Sequence, residues 1–150
     1  MFVTAKDDGL IPYVLTQILD ACVNGVTLSD PELPDNPIVY ANKAFEEISG
    51  YSQDEIVGRN CRFLQGADHD QEALQTIRAA LQKHEPCIVT LRNYRKNGEL
   101  FFNRLAIRPL TDPDGNVIYY LGVQYDVTDQ VRAQEEIEKL QFAIEKLAGA

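Results

Sequence analysis

The sequence predicts an α+β domain, an antiparallel sheet with short helices inserted on one side and a helical segment at either end. Three observations carry this. Two hairpin dipeptides, Asn97-Gly98 and Asp114-Gly115, separate stretches of alternating apolar and polar residues over about 87–96, 100–110 and 116–127. A proline-rich loop over 30–37 joins two shorter strand-like runs, 26–29 and 38–41, into a further hairpin. Helical spacing fills much of 43–83 and returns at both ends.

Residues 1–9 show no regular pattern. Pro12 suits the first turn of a helix on which Val14, Leu15, Ile18, Leu19 and Cys22 share an apolar face, ending near Asn24-Gly25. Cys22 reads as a residue packed on that face. Lys43 to Ser49 forms a helix with Phe45 and Ile48 on one side, closed by Gly50. Ser52 followed three residues later by Glu55 is a capping box that opens another short helix. A glycine-bracketed turn, 58–66, comes next. Residues 70–83 make a longer helix with Leu74, Ile77 and Leu81 inward and an acidic residue at its start. From Asp129 the pattern is helical, with Ala133, Ile137, Leu140, Ile144 and Leu147 stepping by four and three as in a coiled coil. Two heptads leave open a single amphipathic helix folded back on the domain. The chain divides into a helical cap (1–24), a core (25–128) and a C-terminal helix (129–150).

At 150 residues and 45% hydrophobic, the chain can bury one good core. A net charge of -9 argues against nucleic acid or an anionic membrane as partner. The N-terminus lacks a signal-peptide pattern and no run is long enough to span a bilayer, so a cytoplasmic location is expected. Three scattered cysteines predict no disulfide framework, and two histidines add no metal-ligand spacing.

Alternation in the long strands points to a ligand. Asn103 shares a face with Phe101, Leu105 and Ile107, and Asn93 shares one with Val89 and Leu91. Gln124 alternates with Tyr120 and Gly122 against an outer row of Tyr119, Leu121, Val123 and Tyr125. Where those inner faces meet, three carboxamides converge, and each costs roughly 1–3 kcal/mol if left without partners. Either they hold something polar, or they bond one another, a loop or trapped water.

The turn 58–66 reads Gly58-Arg59-Asn60-Cys61-Arg62-Phe63-Leu64-Gln65-Gly66. It resembles the G-x-N-C-R-F-L-Q signature of light-oxygen-voltage (LOV) domains, the flavin-binding photosensory branch of the PAS family, and the likeness covers roughly 24–128. Asn93-Tyr94-Arg95-Lys96-Asn97-Gly98, Phe101-Phe102-Asn103-Arg104-Leu105 and Gly122-Val123-Gln124-Tyr125-Asp126-Val127-Thr128 are similar to three further LOV motifs. The resemblance implies a PAS fold, with a five-stranded antiparallel sheet, helices on one face and flanking terminal helices. It implies flavin mononucleotide (FMN) as cofactor, with Asn93, Asn103 and Gln124 on the polar ring edge. Asn60 and Gln65 then serve the ribityl chain and ring edge, Arg62 and Arg78 the phosphate, and Thr27, Leu64 and Leu105 complete the pocket. It also implies an exposed ion pair between Glu55 and Lys96.

Three positions depart from the pattern. Thr27 stands where many relatives look aliphatic, Phe102 replaces a common Trp, and His69 stands where some relatives carry a further phosphate-facing Arg. The resemblance further implies a blue-light photoreceptor rather than an enzyme. Light drives a reversible bond from the Cys61 sulfur to flavin C4a, and Gln124 answers the new proton on N5 by rotating its amide. The apolar outer face of the last strand and the flanking helices predict a homodimer, either complete as a short protein or joined to a downstream effector. A PAS module binding another small ligand would leave the thiol motif unexplained. A flavoenzyme would need an acid or base near the ring that the motif strands do not offer.

Overall fold

The computed structural model describes residues 10–149. The patternless stretch 1–9 lies outside them. In chain order the elements are α1 (Leu10–Asp20), β1 (Gly25–Ser29), β2 (Ile38–Ala41), α2 (Lys43–Ser49) and α3 (Gln53–Ile56). A 3₁₀ turn (Cys61–Gln65) leads to α4 (Glu72–Lys83), β3 (Cys87–Tyr94), β4 (Leu100–Thr111), β5 (Val117–Asp126) and α5 (Thr128–Ala148). The five strands form one sheet in the order β2-β1-β5-β4-β3, each neighbouring pair antiparallel.

Local chemistry sets most boundaries. Gly50 closes α2 at φ +78°, a left-handed conformation that glycine adopts without steric cost. Ser52 and Glu55 form the reciprocal capping box of α3. Both late hairpins close over four residues, with Gly98 and Gly115 at φ +88° and +87° and neither Asn97 nor Asp114 left-handed. Each is therefore a four-residue turn that ends in one left-handed glycine, and β3 gives way after Tyr94 because the chain reverses over 95–98, closed by Gly98 N donating to Arg95 O at 2.9 Å.

Helices α2, α3 and α4 and the 3₁₀ turn lie against one face of the sheet and enclose the core. Ile38, Ala41, Phe45, Ile56 and Leu64 form one buried cluster, and Leu74, Val89, Leu91 and Leu105 a second. Phe45 has no exposed surface, and burial of such a side chain contributes about 1.5–3 kcal/mol.

Three expectations change. α1 ends at Asp20, so Cys22 falls beyond the helix and is exposed, its thiol reaching back to Ile18 O, instead of packing on an apolar face. Val14 and Ile18 of the supposed buried face are exposed as well. α5 does not fold back on its own domain, since Ile137, Leu140, Ile144 and Leu147 are all exposed.

The tie between the N-terminal segment and the core is Asn42, fully buried and capping α2. Its Oδ1 accepts from Val26 N at 2.8 Å and Phe45 N at 3.1 Å, and its Nδ2 donates to Leu19 O at 2.8 Å and Asn24 O at 3.0 Å. Asn42→Ala strands several buried backbone groups, each worth about 1–3 kcal/mol. Urea unfolding should show a loss above about 3 kcal/mol, and hydrogen exchange should speed first over 19–26; a loss under about 1 kcal/mol would show that these groups find other partners.

Candidate functional site

Between the inner sheet face and the helices lies a cavity of about 230 Å³. Its lining includes every site residue expected from the sequence: Thr27, Asn60, Cys61, Arg62, Leu64, Gln65, Arg78, Asn93, Asn103, Leu105 and Gln124. These come from β1, the 3₁₀ turn, α4 and all three long strands, so only the tertiary fold assembles them. Strand register does much of the placing. β4 pairs with β5 so that Leu105 stands opposite Gln124, and β1 pairs with β5 so that Thr27 stands opposite Gly122.

The three carboxamides are partly satisfied by protein. Asn103 Nδ2 donates to Asn93 Oδ1 at 3.0 Å, Asn93 Nδ2 donates to Arg92 O at 3.0 Å, and Gln124 Nε2 donates to Thr27 Oγ1 at 3.2 Å. Asn103 Oδ1 and Gln124 Oε1 remain buried with no hydrogen-bond partner among the described residues. The amides thus bond one another and a hydroxyl, yet two acceptors stay open at the cavity wall. Gly122 is required here. A Cβ at that position would come within 2.6 Å of Thr27 Oγ1 and 3.1 Å of Gln124 Nε2.

Cys61 opens the 3₁₀ turn, whose first residues are capped by Asn60 Oδ1 accepting from Arg62 N at 3.0 Å. The residue lines the cavity and keeps accessible surface, but protein crowds the thiol. Loss of solvation raises its pKa above the ordinary 9.0, outweighing a backbone hydrogen bond and the nearby Arg62 charge. The thiol is therefore protonated at neutral pH.

The segment after Cys61 is clamped to β3. Asp68 accepts from Arg92 Nε at 2.7 Å and Tyr94 OH at 2.8 Å, which lowers its pKa from 3.8 to about 2. Because the folded value is the lower one, this contribution is complete above the ordinary pKa and is lost as pH falls toward about 2. Gln71 adds a reciprocal pair to Arg92, donating to its O at 2.9 Å and accepting from its N at 2.8 Å.

Some placements carry more than the sequence foretold. Arg62 is engaged by Asp35, whereas Arg78 makes no ion pair among the described residues. His69 Nδ1 lies 3.4 Å from Gln65 Oε1. Glu55 and Lys96 form the expected exposed ion pair. Ser29, Asn36, Ile77, Leu81 and Tyr120 also line the cavity. Asn36 Oδ1 is a third buried acceptor without a described partner, and nothing in its proline-rich surroundings marks it in the sequence.

A five-stranded sheet in this order, with helices enclosing a polar-edged cavity on one face, defines the class. A PAS domain family model matches residues 23–129, and the chain belongs to that family. It also resembles a "Blue-light photoreceptor" of Listeria innocua, 44% identical over 90% of this chain and 53% of that protein. A "Blue-light-activated histidine kinase 1" of Erythrobacter litoralis is 44% identical over 75% of this chain and 31% of its own length. A solved structure titled "Flavin Analogue Sheds Light on Light-Oxygen-Voltage Domain Mechanism" superposes with a TM-score of 0.74 at 43% identity, over 89% of this chain and 99% of that one. Within the PAS family the chain is thus a LOV domain. It spans about half the length of the first of these curated relatives, and less of the second.

The raised thiol pKa gives a direct test. With Cys22 and Cys87 replaced by Ser, alkylation of Cys61 in darkness should stay slow at pH 8 and accelerate with a midpoint above 9.0. A midpoint below that would show a stabilised thiolate instead.

Proposed function

We propose that the chain senses blue light by holding FMN in the central cavity, and that Cys61 forms a reversible covalent bond to it. The observation that carries this is the meeting, in the lining of one cavity, of the Cys61 thiol with two buried amide oxygens that lack donors among the described residues. A ligand edge with its own N–H groups suits those oxygens, and the apolar stretch formed by Leu64, Leu74, Ile77, Leu91 and Leu105 suits flat aromatic faces. When bound, FMN would supply a blue-absorbing ring with a carbon able to accept the Cys61 sulfur and a neighbouring nitrogen able to accept its proton, and to give both back in darkness.

The chain's own groups do the rest. Asn93, Asn103 and Gln124 orient the ring edge, Asn60 and Gln65 meet the sugar-alcohol chain and ring, and Thr27 holds the far end of the Gln124 amide. Arg62 and Arg78 are the cations that line this cavity and would hold a phosphate as planar donor forks. Gln124 presents a donor on one side of its amide and an acceptor on the other. Rotation lets it answer a neighbour that changes from acceptor to donor, and Thr27, a hydroxyl, can accept or donate in turn.

β5 carries that response outward. Its last residue, Asp126, accepts from Arg95 Nη2 at 2.8 Å and from Thr128 N at 3.0 Å, which fastens the start of α5 to the β3–β4 turn. Arg95 was not singled out from the sequence. The exposed seam of α5 and the half-buried row Tyr119, Leu121 and Val123 support a homodimer through the flanking helices and outer sheet face. We place the domain in the cytoplasm as a sensor without enzyme activity of its own, joined in longer proteins to an effector. No described helix is long and apolar enough to cross a membrane.

The test is spectroscopic. Purified protein should be yellow, lose its blue absorption band under blue light and regain it in darkness. Cys61→Ala should keep the band and its fluorescence but not the reversible bleaching. A Cys61→Ala protein that photocycles in full would remove Cys61 from the mechanism.

A further inference from the structure

One acidic side chain holds the group that a phosphate would need. The Asp35 carboxylate pairs with the Arg62 guanidinium, and Asp35 O accepts from Asn60 Nδ2 at 2.7 Å. Asn60 Oδ1 accepts from Arg62 N, so loop 30–37 and the 3₁₀ turn form a closed ring of contacts. Asn36, next in the chain, lines the cavity, and its Oδ1 is buried without a partner among the described residues. Asp35 and Asn36 are both left-handed, at φ +67° and +47°, a conformation that Asp and Asn tolerate better than most side chains.

Arg62 and Arg78 differ in state. Both line the cavity, but Arg62 already faces a carboxylate. Asp35 meets Arg62 through one terminal nitrogen, and a guanidinium can face two carboxylates at once, as Arg95 does with Glu99 and Asp126, so a phosphate at Arg62 either displaces Asp35 or shares the guanidinium with it at the cost of two anions side by side. The side chains of Arg62 and Asp35 are 55% and 58% exposed, which makes their pairing weak enough to exchange.

We propose that Asp35 is a specificity-determining residue, competing with a flavin's phosphate for Arg62 and thereby setting how strongly the site prefers FMN to riboflavin. This rests on the flavin reading above. The ribityl and ring contacts are common to both flavins, whereas only FMN brings an anion that contends with Asp35 for Arg62. Asp35 therefore lowers FMN affinity and leaves riboflavin affinity alone.

Fluorescence titration of the flavin-free chain with FMN and with riboflavin reads this directly. Asp35→Asn keeps a side chain suited to the left-handed turn, and should tighten FMN by about two- to fivefold with riboflavin unchanged. In an Arg62→Gln background that gain should vanish, which separates competition for Arg62 from the general effect of removing a negative charge. Glu47→Gln, on the exposed side of α2, removes the same charge and should change neither ligand. Equal changes for both flavins, or an FMN gain that persists with Arg62→Gln, would overturn the role of Asp35 while leaving the flavin reading intact. Failure of the parent chain to bind either flavin would overturn that reading, and this inference with it.

Discussion

Asn103 Oδ1 and Gln124 Oε1 are buried without a donor among the described residues, and much of the domain is arranged around them. An isolated buried acceptor costs about 1–3 kcal/mol, so a fold that keeps two on one wall carries a standing cost. The flanking interactions hold them there. Asn93 fixes Asn103, Thr27 fixes Gln124, and Gly122 leaves the space in which Thr27 and Gln124 meet. The two clusters, around Phe45 and around Leu105, supply the apolar burial that offsets the expense.

That wall is continuous with the element that leaves the domain. Gln124 and Asp126 share β5, one facing the cavity and the other joined to Arg95 and Thr128. Thr128 Oγ1 also accepts from Phe102 N at 2.9 Å, and Val127 N donates to Phe102 O at 2.9 Å. The first turn of α5 is thereby stitched to β4, while the rest of the helix stands free with its apolar seam exposed. A small movement of β5 at Gln124 has a short, hydrogen-bonded route to α5. Population shift through such a route needs two packing arrangements of α5, and the exposed seam provides a surface for the second.

The parts of this structure that were legible in the sequence are those written in local chemistry. The Ser52/Glu55 capping box, the glycine at the end of α2 and the two late hairpins each depend on residues a few positions apart. Strand alternation placed Asn93, Asn103 and Gln124 on inner faces, because a period of two fixes the side of a sheet once one face is apolar. What escaped is long-range or lacks a marker. The four hydrogen bonds of Asn42 reach up to 23 residues away, and Arg95 finds Asp126 across 31. Asp35 sits in a loop that reads as mere punctuation, yet it takes one of the two arginines assigned to the phosphate. The end of α1 was misplaced because no glycine or proline marks Asp20, and Cys22 was carried past it by an apolar periodicity that the backbone does not follow.

The claim that the amide wall is built for a ligand and not for the fold is open to one direct measurement. Replacing both members of the Thr27–Gln124 pair, as Thr27→Val with Gln124→Leu, removes a hydrogen bond together with the orphaned oxygen and keeps the interior apolar. The unfolding free energy of the flavin-free chain and its affinity for FMN would be measured on parent and variant. The account predicts a flavin-free variant as stable as the parent or more so, with FMN affinity reduced by about tenfold or more. A flavin-free variant destabilised by more than about 2 kcal/mol with FMN affinity unchanged would contradict it, because the amide would then serve the fold alone.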